Sequence, residues 1–210
     1  MTKAEIINAI INGLTAVGTI AVAILAIWGD SIRTWFTGPK LALIPHNFRG
    51  TVVPITNGPR AVFYHLIVVN RRSTVTATNC RVLLKKIWRR APNGAFQEVG
   101  LKVPLIFAWA PSEIMPPYIS LRKEQVLDFG TVIDGQDYYR PLLLSYTNNF
   151  QGFVRAGEVV RFGLEIVSDN FVSSRLQIFE VAWNGQWSDN LDVMAQNLQI
   201  QEVTNQLPAA

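Results

Sequence analysis

The sequence predicts a mainly-β protein: one N-terminal transmembrane helix, then an antiparallel β-sandwich with a short C-terminal helix. Three observations carry this reading. From Ile6 to Gly29 there is no charged residue. Downstream, several stretches alternate apolar and polar residues with a period of two, separated by turn-forming dipeptides. Of 210 residues, 49% are hydrophobic and only 16% are charged. A typical domain carries about a quarter charged residues, so this balance favours packed strands over disorder.

The opening segment comes first. Its twenty-four uncharged residues extend roughly 36 Å as a helix, enough for a hydrocarbon core of about 30 Å. A secretory signal has a basic start and an apolar stretch of about 7–15 residues. Here the stretch is longer, and Glu5 dilutes the charge of Lys3. The segment therefore reads as a membrane span, with residues 1–37 forming the anchor. Trp28, Trp35 and Phe36 suit the lipid–water interface, Arg33 can reach headgroup phosphates, and Gly38-Pro39 stops the helix.

Asn8, Asn12, Thr15 and Thr19 are spaced four, three and four apart and share one helix face, which Ala23 and Ala26 extend. Lipid offers an amide no hydrogen bond, whereas a second helix does, and small residues let backbones approach. Asn12, Thr15, Thr19 and Ala23 are therefore the candidate helix-association face, through which the chain would form a homo-oligomer or meet a partner helix. The alternative is that the threonines bond back to their own helix. Lys3 precedes the span, whereas Arg33, Lys40 and Arg49 follow it. That bias predicts a single-pass topology with the domain in the cytoplasm.

Residues 38–205 read as one domain of a size that buries a good core. In "EVVRFGLEIVS", Val160, Phe162, Leu164 and Ile166 face in, and Arg161 and Glu165 face out. "NCRVLLKKIWRR" puts Cys80, Val82, Leu84 and Trp88 on one side, with Arg81, Lys85 and Arg89 on the other. "AVFYHLIVVN" is fairly apolar on both faces. Further strands are expected at 40–44, 101–107, 125–133, 140–145 and 175–183. The turns are Asn57-Gly58-Pro59, Pro92-Asn93-Gly94, Asp134-Gly135, Gln151-Gly152 and Asn184-Gly185. About eight strands at such spacing suggest a sandwich of immunoglobulin-like type. Leu191, Met194, Ala195 and Leu198 at helical spacing predict the short helix, with Ser188 or Asp189 as its N-cap.

The order of the apolar span, "WGDSIRTWFTGPKLAL", "YHLIVVNRR", "TATNCRVLLKKI", "FAWAPSE", "LDFG" and "VAWNGQW" resembles a group of uncharacterised bacterial single-pass membrane proteins with a β-sandwich domain. The resemblance covers most of the chain. It implies this architecture and a bacterial origin, and no activity.

Chemistry is sparse. His46, His65 and Cys80 are too few and too scattered for a zinc pattern, and no aspartate ladder makes a calcium loop. No nucleophile elbow, phosphate loop or metalloprotease helix is present. A Cys80–His65 pair would give a thiol site, but Cys80 falls on the apolar face of its strand. No catalytic, cofactor or metal residue is assigned. A hydrolase with a dispersed site is the third reading after two kinds of binding.

Two surfaces are candidates. Arg81, Lys85, Lys86 and Arg89 lie within ten residues, on a net charge of +4, and could contact anionic lipid. Nucleic acid is disfavoured, because no aromatic but Trp88 interleaves with them. The bland reading is a solvated strand protected by its charges. The Pro-rich "PLIFAWAPSEIMPPYISL" carries Trp109, Met115 and Tyr118 as a partner-binding loop or, buried, as a cover over the sandwich. The leading expectation is a membrane-anchored, non-enzymatic module that binds or scaffolds a protein partner and needs no cofactor.

Overall fold

The computed structural model describes residues 2–55, 58–173 and 175–203, with backbone alone at 5, 9, 30–36 and 47. The side chains of Arg33, Trp35 and Phe36, and the residue Asn57 of the expected first turn, lie outside the described residues. The chain falls into two compact units that part between Gly38 and Pro39.

The first unit is helix α1, Lys3–Thr37. Its segment Ile6–Gly29 has a mean hydropathy of 2.2 and none of it is buried within the protein. Among the described residues it is the one helix long and apolar enough to cross a membrane. Thr15 Oγ1 donates to the Ile11 carbonyl at 2.9 Å, and Thr19 Oγ1 donates to that of Thr15 at 2.9 Å. Both hydroxyls of the expected association face are thus satisfied inside their own helix.

The second unit is two antiparallel sheets. The first runs β1 (Leu41–Pro54), β2 (Arg60–Asn70), β7 (Glu124–Ile133), β8 (Tyr138–Pro141) and β9 (Val154–Arg155). The second runs β13 (Leu198–Val203), β12 (Gln177–Trp183), β10 (Glu158–Ser168), β3 (Ala77–Arg90) and β4 (Phe96–Val99). Short β11 (Phe171–Val172) pairs with β10, and β5 (Leu105–Ile106) and β6 (Ile119–Leu121) pair with β3. Three expected glycine turns hold, with Gly94, Gly135 and Gly185 at φ of 82°, 82° and 91°, which L side chains rarely adopt; the expected Gln151-Gly152 turn does not form, and the chain turns instead at Ala156-Gly157, with Gly157 at a φ of 79°.

Between the sheets lies an aromatic core centred on Phe129. Its ring is 5.8 Å from Phe107, 6.1 Å from Tyr139, 6.0 Å from Phe162 and 5.5 Å from Phe179. Phe129 reaches this place through a β-bulge. Tyr64 pairs with Gly130 and His65 with Asp128, so Phe129 is an extra residue in β7. Gly130 beside it must be glycine, because a Cβ there would overlap the Tyr139 hydroxyl. Burial raises the ionisation of the Tyr139 phenol well above its usual range, with the neighbouring Tyr64 and Tyr146 adding to it.

A second bulge corrects the strand reading of "NCRVLLKKIWRR". Lys86 pairs with Gly163 but Leu84 with Leu164, so Lys85 is the extra residue. The alternation changes phase there. Ile87, not Trp88, joins the core. Trp88 lies on the outer face, where its ring covers Gly163 and lies beneath Lys86 Nζ at 5.9 Å. Arg89, opposite the buried Val160, turns to the inner side.

The C-terminal helix α2 is Leu191–Asn197, and its N-cap is Asn190 rather than Ser188 or Asp189. Asn190 Oδ1 accepts from the amides of Asp192 and Val193. Asp189 instead pairs with Arg60 at 2.6 Å, and Ser188 Oγ accepts from the Asn190 amide. The chain then continues into β13, a strand the sequence reading did not include.

Replacing Gly130 with Ala should lower unfolding stability by about 1–3 kcal/mol through overpacking against Tyr139. Gly100→Ala, where a Cβ meets open space, should stay within about 0.5 kcal/mol. Chemical denaturation of both variants checks this. Equal midpoints would refute the close contact.

Candidate functional site

The chemistry-bearing residues of the domain converge on the outer face of the first sheet. There β1 bows away from β2: six steps from Pro45 to Thr51 oppose three from Leu66 to Phe63. Gly50, at a φ of 78°, completes the turn within that excursion. The opened strand and the segment 110–113 form the two walls of a groove of about 460 Å³. Its floor is Phe63 and His65 of β2 with Val126 and Asp128 of β7. His46, Thr51 and Val53 line the β1 side, and Ser112 and Glu113 the other.

The β7 bulge places the groove's charge. Because Asp128 lies opposite His65, both side chains point outward from the sheet. Asp128 Oδ1 and His65 Nδ1 approach to 3.0 Å, with side-chain exposures of 5% and 18%. The contact is one of proximity, since His65 Nδ1 makes no aligned hydrogen bond. The His65 ring lies nearly parallel to Phe63, with centroids 6.5 Å apart, and its centroid is 6.4 Å from that of His46. Segment 110–113 is held over the face by backbone bonds from the Ala110 amide to Val126 and from the Asp128 amide to Ala108. Among the described residues no lysine or arginine lines the groove. No hydrogen bond joins Ser112 to either imidazole among the described residues. No cluster of three or more His, Cys, Asp or Glu suited to a metal occurs among them.

Sequence reasoning did not assemble this site. It met His65 as an isolated histidine, and Asp128 as one residue of an expected strand. The signal was present in "VLDFG", a carboxylate in an apolar strand next to Phe and Gly, but the bulge hides its phase.

The residues singled out from sequence are placed elsewhere. Trp109 is 1% exposed, belongs to the core, and donates Nε1–H to the Pro117 carbonyl at 3.3 Å. Met115 packs against the same core. Neither is an exposed anchor, because the proline-rich segment folds over the sandwich. Tyr118 remains 46% exposed, with the Arg81 guanidinium 5.2 Å from its ring centre.

Three of the basic strand's cations have carboxylate partners, whereas Arg81 lies over the Tyr118 ring instead. Lys85 pairs with Glu165 at 3.1 Å and Lys86 with Glu98 at 2.9 Å. Arg89 is not part of that outer surface. Its guanidinium binds Glu158 at 2.7 Å, the Gln151 carbonyl at 2.9 and 3.0 Å, and the Phe153 carbonyl at 2.7 Å. It therefore ties the 151–153 segment to the end of the sandwich.

Cys80 is fully buried in the core, on the opposite face of the first-to-second sheet packing from the groove's histidines. Burial pushes its thiol up to about 12, with the Arg81 charge offsetting part of the rise. The Cys80–His65 thiol pair is thus not formed.

Compared with known proteins, the chain matches no family model, no curated protein and no solved structure.

Arg89→Met should destabilise the domain by about 2–4 kcal/mol, since several charge-assisted bonds to half-buried acceptors are lost together. Lys85→Met, which removes one partly exposed pair, should cost under about 1 kcal/mol. Denaturation of the two variants side by side distinguishes a structural Arg89 from a surface one. Equal small losses would overturn this assignment.

Proposed function

We propose that this protein is a membrane-anchored, non-enzymatic binding module that recognises a protein partner through the groove between β1 and segment 110–113. The observation that carries this is the groove itself. It is a concave site with a few convergent polar groups beside apolar lining, as binding sites generally have. The anchor raises the local concentration of the domain at the bilayer, so a modest groove suffices for a partner on the same membrane. The alternative, a basic surface that contacts anionic lipid, is less well supported, because Lys85, Lys86 and Arg161 already have carboxylate partners.

Two finer readings belong with this. The sheet orders β1–β2–β7 and β12–β10–β3–β4 support an immunoglobulin-like sandwich, in which the first, second and fifth main strands oppose the third, sixth and seventh. The excess of Arg33, Lys40 and Arg49 over Lys3 supports a cytoplasmic domain. Paired C-terminal fusions, one reporter active only in the cytoplasm and one only outside, test the orientation. The expected result is signal from the cytoplasmic reporter; signal from the external one would overturn it.

For the groove, a photo-cross-linking residue at Thr51 or Val53 in living cells should give one discrete adduct. The same residue at Arg161, on the second sheet, should give none. Equal adduct patterns from both faces would sink the groove reading.

A further inference from the structure

The buried carboxylate in the groove lacks the partners that a charged group of its exposure needs. The Asp128 side chain is 5% exposed. Burying a carboxylate is costly unless it is paired and hydrogen-bonded. Among the described residues its charged neighbour is His65, at 3.0 Å, whose Nδ1 makes no aligned hydrogen bond, so the carboxylate keeps acceptor capacity toward the groove. A solvent-facing ion pair of the kind found elsewhere on this domain does not serve it, because the described lining contains no lysine or arginine. The second carboxylate of the lining, Glu113, stands at the exposed rim. The same lining holds the Phe63 ring, whose face attracts cations, with Val53 and Val126 as further apolar surface.

From this we infer that the groove binds an organic cation: a protonated amine on an apolar or aromatic body, with the ammonium at Asp128 and the body against Phe63 and Val126. The inference rests on the groove being the recognition site and specifies what enters it. The ammonium supplies the donors that Asp128 lacks, Glu113 adds a second negative charge at the mouth, and the volume of about 460 Å³ suits a small ligand or one long side chain. On that reading the cation is a lysine side chain of a partner segment, and a free amine is the other outcome of the test.

The test uses the full chain in nanodiscs of zwitterionic lipid, with empty nanodiscs subtracted. The probes are benzylamine, its neutral counterpart benzyl alcohol, and a short peptide carrying one central lysine beside an aromatic residue. Calorimetry or ligand-observed NMR reads binding. Benzylamine should bind at least tenfold more tightly than benzyl alcohol. Asp128→Asn should remove at least tenfold of that affinity, and Glu113→Gln two- to threefold.

If Asp128→Asn fails to fold, Val53→Trp, at a partly exposed edge position, should block the groove and abolish binding with the fold intact. Peptide binding tighter than benzylamine assigns the cation to a partner's lysine, whereas benzylamine binding alone assigns it to a free amine. Equal binding of amine and alcohol, or of wild type and both variants, would overturn the inference. If cross-linking at Thr51 persists in that event, the groove reading stands and only its ligand class falls.

Discussion

The extra residue in β7 is the constraint on which much of the domain depends. Without the bulge, strict alternation would set Leu127, Phe129 and Thr131 on one face and Asp128, Gly130 and Val132 on the other. With it, Phe129, Gly130 and Val132 all belong to the inner side. Phe129 then meets aromatic rings from the 105–107 segment, β8, β10 and β12. Gly130 makes the room that Tyr139 fills. In the same step Asp128 is aimed outward, beside His65. One inserted residue couples the densest part of the core to the charge of the groove, so a change at one is felt at the other.

Bulges elsewhere extend this logic, and side chains repair what they open. β1 is also the edge strand of its sheet, and its outer side carries backbone groups with no neighbouring strand. Gln177 of the other sheet covers part of that edge. Its Nε2 donates to the Leu43 carbonyl at 2.9 Å while its Oε1 accepts from the Leu43 amide at 2.8 Å, as a neighbouring strand would. Salt bridges from Arg49 to Asp192 and from Arg60 to Asp189 bring the α2 end against the same side. These exposed pairs add little stability each. Their effect is to fix where the helix closes the sandwich.

What the sequence made legible follows from this. Period-two alternation located the long strands, and Asn-Gly and Asp-Gly turns located their ends, because each is a local property of the backbone. The uncharged run marked the span for the same reason. The bulges are not local. Whether Lys85 or Phe129 is inserted depends on the register of β10 and β2, which alternation within one strand cannot report. Trp88 and Arg89 were therefore assigned to the wrong faces, and Asp128 and His65 were never brought together. Trp109 was left open for a different reason: its prolines signal an irregular segment, either a partner loop or a cover, and only the sandwich beneath decides that it is buried. Strands of two to four residues such as β9 and β11 carry too short a pattern to be recognised.

The distribution of charge also separates what anchors the protein from what it recognises. A basic strand near a bilayer gains about 1 kcal/mol per cation from anionic headgroups. Lys85, Lys86 and Arg161 would have to leave Glu165, Glu98 and Glu180 to gain it, and Arg89 is committed to Glu158 and two backbone carbonyls. Apolar transfer of the span from Ile6 to Gly29 needs no such exchange. In the proposed reading attachment rests on hydrophobic α1, and the groove's carboxylates, Asp128 and Glu113, are left for recognition. A groove with a buried carboxylate and no lysine or arginine among its described lining residues should discriminate ligands by charge at the groove rather than by bulk attraction to the surface.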